Sequence, residues 1–345
     1  MTRAVLIGCG KIARTWLRSI AEFDDVQVVG LVDLDVMAAK QVNEDLELGA
    51  SVSADLEAAI RDLEPDAVFD CTIPGAHRTV VETALDMGCH VLGEKPMADT
   101  MSSAIAMVKT ARKSGLTYAV IQNRRYIPNI GRYRDAIHSG GIGSPTTYNA
   151  DFYKGSRFGD FRDRMRHVLL LDMAIHSFDE ARYLTGKDAV SAYCHEWNPR
   201  ESWYDHGASA AAIFEMEDNV VFNYRGSWCT EGHNTSWQCA WRTIGTEGSI
   251  LWDGQDDILG EKVSESGMTG LCRSVEPLTI PDRDPPRYVK HAGVIRDFLD
   301  AISTGSTPPT ICTDNVKSVA MVHAAIRSAE EERKVYLEEL LEDLT

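Results

Sequence analysis

The chain has 345 residues, of which 35 are basic and 52 acidic, and its net charge is −17. This length is enough for two domains with separate cores, and the acidic balance argues against a nucleic acid or a membrane surface as partner. The eight cysteines are scattered, without a C-x-x-C pair, and indicate reduced thiols. No apolar stretch approaches the roughly 18 residues of a membrane span. Because the N-terminus leads directly into a strand, we expect no signal peptide and a cytoplasmic protein.

Strand and helix alternate through the first third of the chain, with turn residues between them. Such alternation builds a parallel, doubly wound sheet with helices on both faces, which is an α/β fold. The predicted strands are 3–7, 26–32, 66–71, 89–93 and 117–121, and the predicted helices are 11–22, 36–44, 54–61, 76–87 and 100–114.

The first turn of this pattern carries a dinucleotide-binding fingerprint. An apolar strand runs into Gly8-Cys9-Gly10-Lys11-Ile12-Ala13, which opens a helix, and the next strand ends at Asp33. Gly8 permits a tight turn, Gly10 lets the backbone approach a pyrophosphate, and the helix N-terminus suits a phosphate. The pattern predicts a Rossmann domain over residues 1–123 that binds a nicotinamide dinucleotide. Its candidate contacts are Gly8, Gly10, Lys11, Ile12 and Asp33.

The acidic residue at the end of the second strand favours NAD over NADP. The carboxylate of Asp33 can accept hydrogen bonds from the ribose hydroxyls of NAD and would repel the 2′-phosphate of NADP. Leu34 follows it, so no arginine stands directly beside it. Lys11 and Arg14 are near in sequence and leave NADP open. The alternative is that Asp33 only ends a strand in a turn.

After about residue 123 the strands follow one another with few helices between them. Sequential strands of this kind indicate an antiparallel or mixed sheet. We therefore predict a second α/β domain over residues 124–345, with a large, mostly antiparallel open sheet. The predicted strands are 145–154, 189–197, 207–216, 219–228, 235–244 and 248–252, and the predicted helices are 129–138, 170–184, 289–303 and 314–333.

Lys95 stands at the carboxyl end of the predicted strand 89–93, in the run Gly93-Glu94-Lys95-Pro96. In open α/β sheets, ligands bind at the carboxyl ends of the strands. Pro96 restricts Lys95 to extended geometry, and a lysine in this position can donate to a substrate hydroxyl and to a cofactor ribose. The alternative is a surface turn, which is more usual for an isolated E-K-P tripeptide.

Asp172, His176 and Asp179 stand at i, i+4 and i+7, so they share one face of a predicted helix that is otherwise mainly apolar. Buried charges are costly unless they are paired or used, and histidine is the natural proton carrier near neutral pH. We interpret this face as catalytic. In the alternative, Asp172 caps the helix and His176 is a satisfied core histidine. A metal site formed by His167, Asp172 and His176 is less favoured, and we predict no metal.

Four arginines precede that helix, at positions 157, 162, 164 and 166. They could bind an acidic or phosphorylated substrate. Because Asp160 and Asp163 are interleaved with them, a self-paired loop is an equal alternative. Tryptophan rings could stack on a sugar, although packing within the second sheet is the favoured interpretation. These tryptophans are at positions 197, 203, 228, 237, 241 and 252.

These motifs together resemble the Gfo/Idh/MocA family of NAD(P)-dependent enzymes, of the glucose–fructose oxidoreductase and inositol dehydrogenase type. The resemblance covers nearly the whole chain. It rests on Gly8–Ala13, Thr72-Ile73-Pro74 with His77, His90–Pro96, Arg125-Tyr126, the D-x-x-x-H-x-x-D run from Asp172 to Asp179, the helix around Phe298–Ile302, and Ser328–Val335.

The resemblance implies a catalytic trio of Lys95, Asp172 and His176, with His176 as the acid–base, and a cis Lys95–Pro96 bond. It extends the cofactor contacts to Thr72, Pro74, His77, Glu94 and Lys95. We add Tyr153, Arg164 and Asp179, beside Asp172 and His176, as candidate substrate contacts. The run His167–Leu171 stands where the family often has glycines, which indicates a substrate pocket of different shape. A second departure is Gly93, where many members carry a larger residue.

The expected reaction is reversible oxidation of a secondary or anomeric hydroxyl on a sugar, a cyclic polyol or a derivative, with hydride transfer to the nicotinamide. The family also implies a homodimer or homotetramer built on an exposed sheet face. Two alternatives from the same family remain: an NAD-dependent glycosidase and a sugar sensor that binds NAD without catalysis. The trio of Lys95, Asp172 and His176 argues against the sensor, because a binding module needs no proton relay.

Overall fold

The computed structural model of the protein describes residues 1–344, which form two compact units. One unit comprises Met1–Tyr126 and Arg287–Val319, together with the chain from Asp343. The other comprises Ile127–Pro286 and Ala320–Glu342. Within residues 1–344, no helix has the length and apolar character needed to cross a membrane.

The first unit opens with six strands that alternate with five helices. The strands are β1 (Thr2–Ile7), β2 (Val26–Val32), β3 (Ser51–Ser53), β4 (Ala67–Asp70), β5 (His90–Gly93) and β6 (Tyr118–Val120), and the helices are α1 (Lys11–Ile20), α2 (Val36–Asp45), α3 (Leu56–Leu63), α4 (Pro74–Asp86) and α5 (Met101–Ser114). All neighbouring strands are parallel, in the order β3-β2-β1-β4-β5-β6. The predicted doubly wound sheet is confirmed, and the strand order reverses between β1 and β4, where such sheets bind ligands.

Local sequence signals set the ends of these helices. The side chain of Asp35 accepts hydrogen bonds from the first turn of α2, and Asp55 does the same for α3. Gly115, at φ +70°, ends α5 in the left-handed conformation that glycine adopts without strain.

The later elements include a nine-stranded sheet. The helices are α6 (Pro128–His138), α7 (Ile175–Thr185), α8 (Lys290–Thr304), α9 (Cys312–Glu331) and α10 (Glu338–Leu341), and the strands are β7 (Pro145–Tyr153), β8 (Ala189–Trp197), β9 (Ser209–Met216), β10 (Val221–Ser227), β11 (Ala240–Gly245), β12 (Gly248–Trp252), β13 (Ile258–Thr269), β14 (Cys272–Leu278) and β15 (Val335–Tyr336). The sheet order is β14-β13-β12-β11-β7-β10-β9-β8-β15. Among the described strand pairs of this second sheet, only β7–β10 is parallel, which confirms the mostly antiparallel sheet.

Four of these strands, β3, β13, β14 and β15, are absent from the sequence-based prediction. β13 and β14 pair with each other at one edge of the sheet, and charged residues such as Lys262 and Glu276 interrupt their apolar pattern. β3 and β15 are only three and two residues long and also lie at sheet edges. The edge strands β3, β14 and β15 need little burial, so the alternation that identifies a strand is weak in them.

Helix α8 comes from the last fifth of the chain, yet its apolar face completes the core of the first unit. Ile295, Phe298 and Leu299 are at most 1% exposed and belong to the same apolar cluster as Leu6 and Phe69. The rings of Phe69 and Phe298 meet edge to face at 6.2 Å.

Candidate active site

The loop between β1 and α1 has the backbone shape that a bound pyrophosphate requires. Gly8 has φ +90°, and a Cβ at this position would lie 2.7 Å from the carbonyl carbon and oxygen of Cys71, so only glycine fits. A Cβ at Gly10 would meet nothing within 4 Å, so the backbone there is open to an approaching ligand. No side chain caps the N-terminus of α1, which begins at Lys11. These features fit a phosphate group, whereas the side chain of Ile12 packs against the core.

The carboxylate of Asp33 at the end of β2 holds two backbone turns. Its Oδ2 accepts a hydrogen bond from the N–H of Cys9 at 2.6 Å, and its Oδ1 accepts one from the N–H of Asp35 at 2.8 Å. A carboxylate has about four acceptor sites, so two remain for ribose hydroxyls. Arg14, a candidate partner for a 2′-phosphate, is paired instead with Asp45 at 2.6 Å.

We expect the enzyme to use NAD better than NADP, by on the order of tenfold or more in kcat/KM, because the Asp33 carboxylate repels a 2′-phosphate. Asp33→Asn removes that charge and should therefore reduce the ratio of kcat/KM with NAD to kcat/KM with NADP. Asp35→Asn is the matched control, since it removes a charge two residues away and asparagine still caps α2. Steady-state rates with both cofactors measure the effect. A wild-type preference for NADP would contradict this role of Asp33.

Three large apolar side chains that the sequence analysis did not assign to the cofactor are exposed in the segments after β2 and β4. Leu34 is 94% exposed, Met37 67% and Ile73 66%. Exposed apolar side chains at a ligand-binding edge are a signal for a flat apolar ligand. They suit the adenine ring of the dinucleotide.

The segment after β4 is tied to the end of β5 through His77. This buried ring places Nε2 3.0 Å from the carbonyl oxygen of Thr72 and Nδ1 3.3 Å from that of Met97. Thr72 donates from its N–H and hydroxyl to Asp70, and Pro74 is the first residue of α4. His77 therefore supports the loops at the cofactor edge from within the unit.

Lys95 follows β5 at the same edge, and the Lys95–Pro96 bond is cis, as the family resemblance implies. The neighbouring Glu94 is buried, and its carboxylate accepts hydrogen bonds from the Trp16 indole at 2.7 Å and the Lys95 N–H at 3.0 Å. Burial opposes ionisation, yet hydrogen bonding from His291 and the charge of Lys95 leave the pKa of Glu94 below its ordinary value. An ionised Glu94 therefore stands behind Lys95 and joins it to α1 and α8.

In the second unit, Asp172 lies in a π-helix, Leu169–Ala174, which continues into α7 with His176 and Asp179. The predicted helix over 170–184 is confirmed, but its first part is a π-helix, whose wider turn replaces the 3.6-residue spacing assumed for the shared face. π turns inside helices are frequent at functional sites. His176 is 8% exposed and Asp179 1%, so this polar face is buried as expected.

Arg162, which nothing in the sequence distinguishes from the other arginines of the cluster, contacts Asp172. Its Nε donates to Asp172 Oδ2 at 2.9 Å. Arg157 pairs with Glu231 at 2.7 Å, and Arg166 lies 4.0 Å from Glu330. The self-paired alternative therefore describes Arg162, which also pairs with Asp160 at 3.1 Å, whereas the acidic partners of Arg157 and Arg166 lie outside the loop.

Of the other candidate substrate contacts, Tyr153 ends β7 and is half-buried, and burial raises the pKa of its hydroxyl. Arg164 is exposed and lines a cavity of about 320 Å³ with Gly159, Asp160, Phe161 and Asp163. Trp228, Trp241 and Trp252 are at most 2% exposed and pack in the core, in agreement with the favoured interpretation of the tryptophans. Trp197 and Trp237 are 42% and 47% exposed.

His167 precedes the π-helix in a left-handed conformation, at φ +53°. Its Nδ1 lies 2.5 Å from Glu196 Oε2, and its Nε2 lies 3.4 Å from Glu330 Oε1. The hydrogen bond to Glu196 raises the pKa of His167, against the effect of burial. No group of three or more His, Cys, Asp or Glu side chains placed to hold a metal ion is found within residues 1–344.

Because the folded-state pKa of His167 is raised, its ion pairs stabilise the fold fully below about pH 6.5 and are lost as pH rises through the folded value. His167→Asn tolerates the left-handed backbone and should lower the free energy of unfolding by about 1–2 kcal/mol at pH 6. At pH 9 the same substitution should lower the free energy of unfolding by less, because the ion pairs of His167 are already lost there. Urea unfolding at both pH values measures it, with the exposed His195→Asn as control. An equal loss at both pH values would contradict the charge assignment.

A parallel dinucleotide-binding sheet, followed by a large mixed sheet with a buried Asp–His face, defines the class of nicotinamide-dependent oxidoreductases. Residues 2–122 match the oxidoreductase family with an NAD-binding Rossmann fold, and residues 130–251 match the GFO/IDH/MocA C-terminal domain. The chain belongs to the Gfo/Idh/MocA family and is an NAD(P)-dependent oxidoreductase with an NAD-binding Rossmann domain.

Relatives and solved structures match over nearly the whole chain. D-apiose dehydrogenase of Paraburkholderia graminis is 26% identical over 98% of this chain and 90% of that protein. Myo-inositol 2-dehydrogenase of Thermotoga maritima is 22% identical over 98% of this chain and 99% of that protein. An oxidoreductase from Agrobacterium radiobacter, solved with NAD⁺, L-tartaric acid and magnesium, has the same fold, with a TM-score of 0.86 at 22% identity over 99% of both chains.

Proposed function

We propose that the enzyme reversibly oxidises a secondary or anomeric hydroxyl on a sugar, a cyclic polyol or a derivative of one. The observation that carries the proposal is the buried polar face of the second unit, where His176 and Asp179 are almost inaccessible and Asp172 is ion-paired. Oxidising an alcohol requires a proton acceptor, and a buried histidine can serve as one. Relatives named for apiose and myo-inositol support this class of substrate.

Bound NAD supplies the hydride acceptor, and the protein's side chains handle the proton and the charge. His176 takes the hydroxyl proton, and the electron pair of the broken O–H bond becomes the second bond of the new carbonyl. The hydrogen on the same carbon leaves with the electron pair of its C–H bond, as a hydride. Asp172 orients the imidazole, and Lys95 donates a hydrogen bond that stabilises negative charge on the reacting oxygen. In the reverse direction His176 returns the proton.

A substrate panel tests the proposal. The purified enzyme is incubated with NAD and neutral polyols, aldoses, sugar acids and glycosides, and NADH absorbance is followed. We expect NADH to form with a sugar or polyol. Cleavage of a glycoside without net NADH, or NAD binding with no turnover of any compound, would replace the dehydrogenase proposal by the glycosidase or the sensor.

We further infer that the enzyme is a homodimer or homotetramer. Tyr193 and Ile213 are register partners on neighbouring strands and are each 50% exposed. Adjacent exposed apolar side chains on a sheet mark an interaction surface. Sedimentation velocity should therefore give the mass of two or four chains, and Ile213→Asp should weaken association. Leu271→Asp, at a side chain that is 99% exposed, is the control. A wild-type monomer would contradict the inference.

We also place the enzyme in the cytoplasm. Among the described residues no cysteine forms a disulfide, and burial raises the pKa of the Cys9 thiol to about 12 and that of Cys89 to about 11. Cysteines that form no disulfide suit a reducing compartment, and thiols that stay protonated at neutral pH react slowly with oxidants. Fractionation of producing cells tests the location.

A further inference from the structure

The ion pair between Arg162 and Asp172 is partly shielded from water. The two side chains are 27% and 16% exposed, and the Arg162 Nε donates to Asp172 Oδ2 at 2.9 Å. A half-buried pair of this geometry is stronger than one on the open surface, because water and salt screen it less.

The guanidinium of Arg162 is also anchored independently of Asp172. Its Nη1 donates to Asp160 Oδ2 at 3.1 Å, and its own backbone N–H donates to Asp160 Oδ1 at 3.0 Å. The rings of Phe161 and Phe158 lie 4.7 and 5.1 Å from the guanidinium carbon, a cation–π distance. Phe158 in turn packs edge to face against Trp228 at 5.2 Å. The Arg162 guanidinium is therefore held in one position by these contacts, and the Asp172 carboxylate pairs with it there.

The other arginines of this loop differ from Arg162 in their surroundings. Arg157 and Glu231 are 60% and 70% exposed, and Arg166 and Glu330 are 73% and 53% exposed. Pairs of this exposure contribute little. Arg166 is thus a matched comparison: it is a paired arginine in the same loop whose ion-pair partner is Glu330.

We propose that Arg162 is a positioning residue for the reaction, which holds the Asp172 carboxylate ionised and in one orientation so that Asp172 can orient His176. The inference rests on the proposed function, which assigns the roles of Asp172 and His176. Because Arg162 compensates the charge of Asp172, the His176 imidazolium is stabilised less than it would be beside a lone carboxylate. His176 therefore gives up its proton more readily in the reducing direction.

The first test needs no substrate. The titration of the His176 ring is followed by NMR of the ¹³C-histidine-labelled enzyme, with the signal assigned from His176→Asn. Arg162→Gln leaves the Asp172 charge uncompensated and should raise the midpoint by on the order of half a unit to one unit. Arg166→Gln should leave it unchanged. Equal midpoints in the wild type and Arg162→Gln would overturn the proposal.

The second test uses the substrate identified in the panel. Arg162→Gln should lower kcat by about 10–100-fold, since small misplacements of catalytic groups cost this much, while the NAD dissociation constant stays unchanged. Arg162→Lys keeps the charge but lacks the fork that reaches both aspartates, so its kcat should be intermediate. A kcat in Arg162→Gln equal to that of Arg166→Gln would overturn the proposal. If the wild type oxidises no compound, the proposed function fails and the titration alone decides the role of Arg162.

Discussion

Replacing His176 with alanine is expected to lower kcat by about 10²–10⁴-fold, the range that a positioned general base contributes. His176 is 8% exposed in α7, within a mainly apolar stretch, so solvent cannot easily replace it as the proton acceptor. Its side chain belongs to the second unit, whereas the cofactor fingerprint is in the first. NAD binding should therefore persist. Steady-state NADH formation and calorimetric titration of NAD separate the two effects.

His195→Ala is the control for this variant. His195 is exposed on β8 and stacks on Trp197 at a ring distance of 5.7 Å, so its loss removes a histidine without touching α7. Its kcat should remain at the wild-type value. A His176→Ala enzyme with unchanged turnover would exclude the proton-relay role, and lost NAD binding would show instead that the fold is damaged.

Lys95→Met should lower kcat by about 10²–10³-fold, which is typical for loss of one donor to a developing oxyanion. Methionine retains most of the aliphatic stem but has no charge and no donor. The Lys95 N–H bond to Glu94 and the Trp16 bond to the same carboxylate involve other atoms, so the backbone at the end of β5 should stay in place. The measurement is kcat together with circular dichroism.

Lys109→Met tests whether loss of any lysine has the same effect, because Lys109 is exposed on α5. We expect it to behave as the wild type. Near-normal kcat in Lys95→Met would remove Lys95 from the mechanism and leave His176 and Asp172 to carry the chemistry.

The cofactor edge of the first unit could be predicted from local sequence because each of its requirements acts on neighbouring residues. The turn at Gly8 demands positive φ, the helix after Gly10 follows at once, and Asp33 directly follows the last residue of β2. The sequence did not indicate that Asp33 also accepts the N–H of Cys9, 24 positions away. A hydrogen bond over that separation exists only once β1 and β2 lie side by side.

In the second unit, the arginine loop also has a contact that local sequence could not indicate. The sequence placed four arginines among aspartates, and nothing in their spacing distinguishes Arg162 from Arg164 or Arg166. The difference arises from packing, because Phe158 rests on Trp228, 70 positions later, and fixes the face on which Arg162 lies.

The α/β class, the dinucleotide fingerprint and the residue types able to move a proton could be predicted from local sequence, since periodicity and turn chemistry are local properties. Three contacts required the folded chain: α8 completes the core of the first unit, Glu94 joins Lys95 to Trp16, and Arg162 pairs with Asp172. These contacts join residues whose burial and partners are set by long-range packing. Hydrophobic burial has no direction, so a local pattern shows which faces are buried but not which neighbours cover them.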